Sequence, residues 1–255
     1  MNTTSLDHYR FIKIVLFEFI FNSRSYQMSS VFLSVSRLLQ VISFFLPLKI
    51  LILLSSPNSI PLSFSYLPFD INHNYIMLLM FALVPITYLG YIVFGVLHRY
   101  YLDKDISMWV NNNNTVEAFK VKSKSSFEKL HGHIAKLMSE IYLLIISMLL
   151  TIIVDPYTFL FVVFLVVGNY LVFVKKVFYV KEHDRIGILR LHRKQYIEYL
   201  SSVSFIAIFA MLALQVEINN IGVFNALFLL LIGRMIFQSV QRFSMENIYI
   251  ILHAK

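Results

Sequence analysis

Residues Leu137 to Val174 read LMSEIYLLIISMLLTIIV, then Asp155-Pro156, then YTFLFVVFLVVGNYLVFV. Two apolar runs of 18 residues stand back to back, divided by a single polar break. Each is close to the roughly 20 residues that carry a helix across a bilayer. Proline removes an amide donor and disfavours helix in the residue before it. The stretch therefore predicts a helical hairpin in lipid, with its turn at Asp155-Pro156.

The same pattern extends in both directions. Val31–Leu54, Ile76–Leu97, Ser201–Val216 and Ile221–Val240 are further apolar stretches of spanning length. The third and fifth stretches are short in apolar length, which helices continuing beyond the bilayer would explain. Asn219-Asn220 with Gly222 separates the last two spans. The linker Ser55–Asn74, with Pro57, Pro61 and Pro68, reads as irregular. The fold class expected is all-α: a polytopic membrane helical bundle of six transmembrane helices. Residues 1–29 form an N-terminal interfacial segment, 30–243 the transmembrane domain, and 244–255 a short cytoplasmic tail.

Composition agrees. The chain is 58% hydrophobic and 14% charged, against about 25% charged in a soluble domain. Its 24 Phe and 15 Tyr suit lipid and its interfaces. The net charge of +8 does not point to nucleic acid, because the basic residues cluster in loops between apolar runs. Arg99–Lys136 holds seven Lys and Arg, Lys175–Lys194 holds seven more, and Arg10, Lys13 and Arg24 precede the first span. The linkers Ser55–Asn74, Asp155-Pro156 and Gln215–Asn220 hold none. By the positive-inside rule both termini are cytoplasmic, as in a multi-pass protein of the bacterial inner (plasma) membrane. Phe11–Phe21 is too short to span and reads as an interfacial helix. With no cysteine, disulfides and Cys-type zinc sites are excluded.

Four features together resemble the transmembrane domain of a type I ABC exporter. They are the interfacial helix Phe11–Phe21 and the stretch Phe45-Leu46-Pro47-Leu48-Lys49 closing the first span. To these add sizeable cytoplasmic loops after the second and fourth spans, and a last helix with Gly222 at its opening and Gly233-Arg234 further in. The inner loop Lys175–Leu200 is shorter than that family's helical legs. No G-x-x-x-x-G-K-[ST] occurs, so the chain has no phosphate-cradling loop. The resemblance implies a permease subunit, a homo- or heterodimer, working with a separate ABC ATPase. Alternatives are a non-transporting partner-binding protein, such as an immunity or assembly factor, and a membrane enzyme acting on lipid-linked substrates.

Arg37 and Arg234 lie inside apolar spans, where a charge costs about 2.5–3.5 kcal/mol on insertion scales. Arg234, Gln238, Gln241 and Arg242 share one helix face. That face suggests a pathway or a helix seam, with snorkelling to the headgroups as the simpler account. Lys49, near the outer end, reads as snorkelling outward. Candidate ATPase-coupling turns surround Phe127 and Glu128, and His183, Asp184, Arg185 and Ile186, with Phe127 and Ile186 as apolar anchors. The simpler account there is a basic surface facing anionic lipid. His131, His133, His183 and His192 lack the boxes of a membrane metal site and read as solvated loop histidines. Glu128, Asp184 and Glu198 read as a solvated charged face. No catalytic residue, cofactor or metal is expected, and the chain is not expected to be an enzyme.

Overall fold

The computed structural model describes residues 24–55, 73–111, 124–178, 180, 185–186, 190–218 and 221–253. The expected interfacial helix Phe11–Phe21 lies outside them. Six helices carry the described chain: α1 (Arg24–Ser55), α2 (His73–Asn111), α3 (Lys124–Val154), α4 (Pro156–Val172), α5 (Arg193–Ile218) and α6 (Val223–His253). All six are long and apolar enough to cross a membrane. The molecule is an all-α multi-pass membrane bundle. Helices are the form such runs must take, because lipid offers no partner to an unpaired amide or carbonyl. Pro47 and Pro85 sit inside α1 and α2 without ending them, as neighbouring helices in membranes allow.

The helices run longer than the apolar runs. At 1.5 Å per residue α2 is roughly 58 Å long, and α3 and α6 roughly 46 Å each. A hydrocarbon layer is about 30 Å thick, so these three project from it, as do α1 with 32 residues and α5 with 26. The projections carry the short third and fifth spans back to Lys124 and Arg193. The segment expected as a tail after residue 243 is helical to His253, because Ile248 and Ile250 are buried against other helices. Asp155 between α3 and α4, and the α5–α6 ends at Ile218 and Val223, mark one face of the bundle, the turn side; the opposite face is the loop side.

Side-chain hydrogen bonds fix how the helices pair. The α1–α2 seam is antiparallel: Ser36 Oγ donates to the Tyr91 carbonyl at 2.9 Å, and Ser29 Oγ sits 2.8 Å from His98 Nδ1. A methyl placed on Gly90 would meet Leu39 at 3.0 Å, so the small residue sets the close approach. Asn169 and Ser204 exchange bonds of 2.9 and 3.1 Å between α4 and α5. Ser201 Oγ donates to the Phe237 carbonyl at 2.9 Å, tying α5 to α6. Val162, Ile208, Leu229, Ile232 and Ile236 fill the turn-side core. Tyr26, Leu130, Ile134, Leu137 and Ile250 fill the loop-side core. Outward leucines and isoleucines, such as Leu78, Ile92 and Ile153, face lipid.

Asp155 makes the hairpin turn. It is the N-cap of α4, accepting from the Thr158 amide at 2.9 Å and the Tyr157 amide at 3.3 Å. Thr158 Oγ1 at 2.5 Å and Gln215 Nε2 at 3.2 Å also donate to it. Burial alone would raise its pKa, but these donors outweigh burial and hold the carboxyl below the ordinary aspartate value. A depressed carboxyl stabilises the fold at pH above its unfolded-state pKa and loses that effect as pH falls through its folded value. Asp155→Ala should therefore cost about 1 kcal/mol at neutral pH. Thermal unfolding of both proteins in detergent should show the gap closing on acidification through the carboxylate range; a gap independent of pH would contradict this role.

Candidate functional site

Three of the charges inside the spans, Arg37, Glu140 and Arg242, gather at one point. Glu140, on the buried face of α3, is 1% exposed at its side chain. Arg37 Nη1 of α1 donates to Glu140 Oε1. Arg242 Nε of α6 lies 3.0 Å from the same oxygen, an ion pair by proximity rather than an aligned hydrogen bond. Ser239 Oγ, one turn before Arg242, stands 2.6 Å from Glu140 Oε2 and 3.1 Å from the Glu140 carbonyl oxygen. One carboxylate on α3 thus holds groups from two other helices, α1 and α6.

Depth can be counted from the turn-side helix ends. Glu140 is 14 residues from Val154, roughly 21 Å, and Arg242 is 19 residues from Val223, roughly 28 Å. The cluster therefore lies between the mid-plane and the loop-side edge of a layer about 30 Å thick. An uncompensated charge there costs several kcal/mol, so the geometry has to be met by partners.

Arg234 lies shallower, 11 residues into α6 and roughly 16 Å from the turn side, which is mid-membrane. The α6 residues toward α3 (Ile232, Ser239) and toward α5 (Gly233, Phe237) are buried, while Arg234 and Gln238 are exposed. Gln241 is half-buried, at a small open pocket it shares with Asn169, Phe173, Ile197, Ser201 and Ser244. The expected α6 face divides accordingly. Arg242 turns to Glu140, and Arg37 joins it there; Arg234 and Gln238 remain on the outer surface. Among the described residues no acidic group pairs with Arg234. Lys49 lies over the Phe224 ring, 4.4 Å from its centroid.

The loop-side residues are placed differently from one another. Phe127 and Glu128 belong to the first turns of α3, not to a separate short helix, and Glu128 is exposed. His183 and Asp184 lie outside the described residues. Arg185 is exposed, whereas Ile186 is buried against Phe173, Val177, Ile197 and Ile248. Ile186 also exchanges backbone bonds of 2.9 and 3.2 Å with Leu191. Two histidines read as solvated prove otherwise. His131 is fully buried, 2.9 Å from Asp105 and against the Tyr26 ring. His133 is largely buried, 2.6 Å from Glu246 and stacked on Tyr249. The cause is the extra helix length, which puts both on the packed part of α3. His192 is exposed, as is Glu198. Among the described residues no three acidic or histidine side chains converge as metal ligands.

Glu140 was absent from the residues singled out in sequence. Its signal was there: it is an acid inside the apolar run Leu137–Val154, while other apolar runs hold arginines that call for a counter-charge. Compared with known protein families, curated proteins and solved structures, the chain matches none.

Removing Glu140 alone leaves two guanidinium groups uncompensated. Glu140→Gln should lower stability by about 3–5 kcal/mol. A triple replacement of Arg37, Glu140 and Arg242 by Met should recover most of that loss. Fluorescence-detected size exclusion after heating measures both; a stable Glu140→Gln protein would contradict the arrangement.

Proposed function

We propose that this chain is the membrane permease subunit of an ABC-type exporter, working with a separate ATPase. The observation that carries the reading is the outer face of α6. Arg234 and Gln238 stand exposed at mid-membrane, on a side that no described helix covers. Arg37 and Arg242 turn away from it, toward Glu140 nearer the loop side. An exposed guanidinium beside an exposed amide makes a face suited to an anionic solute. Polar, charged surface at this depth belongs to a wet route or a protein seam, not to lipid. Half a route on one chain fits a dimeric permease whose pathway forms between two subunits. ATP-driven closure would then rock the subunits and change which side the route opens to.

The distribution of Lys and Arg supports an orientation with both ends in the cytoplasm of a bacterial cell, in its inner membrane. The chain carries no P-loop, so hydrolysis falls to another polypeptide contacting the loop side around Glu128 and Arg185. A second reading, a non-transporting immunity or assembly factor, is favoured by one observation. Ile186, the candidate docking anchor, is spent on the bundle's own core.

The test uses the chain in its own membranes. The isolated chain should hydrolyse no ATP, while the assembly extracted with its ATPase should. Arg234→Leu should reach normal membrane abundance, since it makes the span more apolar, yet fail to restore the deletion strain. Arg234→Lys should restore part. Full restoration by Arg234→Leu, or by the chain in a strain lacking the ATPase, would overturn the proposal.

A further inference from the structure

Arg234 has no counter-charge among the described residues. In the described residues Glu140 is the one acid more than a turn inside a hydrocarbon layer of about 30 Å, counting 1.5 Å per residue from the turn side. Asp103, Asp105, Glu128, Glu198 and Glu246 fall at or beyond its loop-side edge by the same count, and Glu217 within a turn of the other side. Asp155 sits at the turn itself, Glu18 falls within Phe11–Phe21, which is too short to span, and Asp7, Asp70, Glu117, Glu182 and Asp184 belong to stretches of sequence outside the apolar runs. Glu140 is itself buried and engaged by Arg37, Arg242 and Ser239.

The described residues of a second copy therefore offer Arg234 no free acid. A two-fold contact through α6 would set Arg234 beside its own counterpart, since such an interface uses the same patch twice. A head-to-tail contact offers no accessible acid at that depth either. Lipid headgroups are also poorly placed. Arg234 sits roughly midway through the layer, and helical side chains lean toward their own N-terminus. In α6 that direction leads away from the nearby Glu140 cluster and its loop-side edge.

Resting on the permease reading, we propose that the α6 face docks a transmembrane helix of a different polypeptide, carrying an Asp or Glu near its mid-point. The carboxylate pairs with Arg234. Gln238, one turn on, donates to the same group or to a polar neighbour, as Gln does across helices in membranes. The assembly is then a heteromer in which this chain supplies the cation and its partner the anion. Burying the Arg only after assembly makes the pairing a check on partner identity, because a helix without the acid leaves the charge uncompensated.

The experiment places a photoreactive benzophenone amino acid at Leu227, two turns before Arg234 on the same face of α6, in the chain expressed from its own locus. Irradiated membranes are digested and the cross-linked peptide is sequenced. The expected product is a spanning segment of another protein with an Asp or Glu inside it. Its yield should fall about tenfold in Arg234→Gln and persist in Arg234→Lys. It should return when Arg234→Glu is paired with an Arg in place of the partner's acid. A cross-link to a second copy overturns the proposal. So does a partner segment without an acid, a yield indifferent to Arg234→Gln, or a product that is phospholipid alone. An acid-free partner found with intact ATPase association would remove this inference and leave the permease reading standing.

Discussion

A carboxylate inside a membrane must be met by cations, and Glu140 is met by two. Its contacts with Arg37, Arg242 and Ser239 come from helices more than 90 residues apart in sequence. Because breaking such a cluster costs more than forming it gains, it acts as a constraint on register. Sliding α6 by one turn against α3 would separate Ser239 and Arg242 from the acid together. The neighbouring His133–Glu246 pair follows the same α3–α6 register, and the Tyr26–His131 contact follows that of α1 with α3. The α1–α2 and α4–α5 seams then add to a three-helix centre already fixed.

Much of this architecture was legible in the sequence because it follows from local rules. Apolar runs of spanning length give the six helices. Asp155-Pro156 announces a break, and the structure adds that Asp155 also caps the helix it begins. The shared face of Arg234, Gln238, Gln241 and Arg242 follows from helical periodicity alone. Periodicity does not say which neighbour a face meets, and this is where the reading failed to reach. Arg242 and Arg234 lie on adjoining parts of one helix surface, yet one faces an acid and the other faces outward. Only the packing of α1 and α3 distinguishes them. His131 was misread for a related reason: the helix begins seven residues before it, in sequence polar enough to resemble a loop.

The functional reading depends on an imbalance. The Glu140 cluster satisfies itself with a surplus positive charge, and Arg234 adds another at mid-depth without a partner in the described chain. A lipid-facing surface has no use for such a residue, so its retention on the open side of α6 points to what meets that side. A permease route between two subunits and a seam with an acid-bearing helix both use the same feature. They are compatible, since a route between unlike subunits needs both a seam and a lining. The buried position of Ile186 shifts any contact with an ATPase toward the exposed charges around Glu128 and Arg185.

The central claim is that Glu140 joins α1 to α3 through Arg37. A double-mutant cycle measures it directly, using unfolding in detergent of the Arg37→Gln, Glu140→Gln and combined variants. The account predicts strong coupling, with the double variant far less damaged than the sum of the two singles. Additive losses, within about 0.3–0.5 kcal/mol, would mean that the two groups act independently and would contradict it.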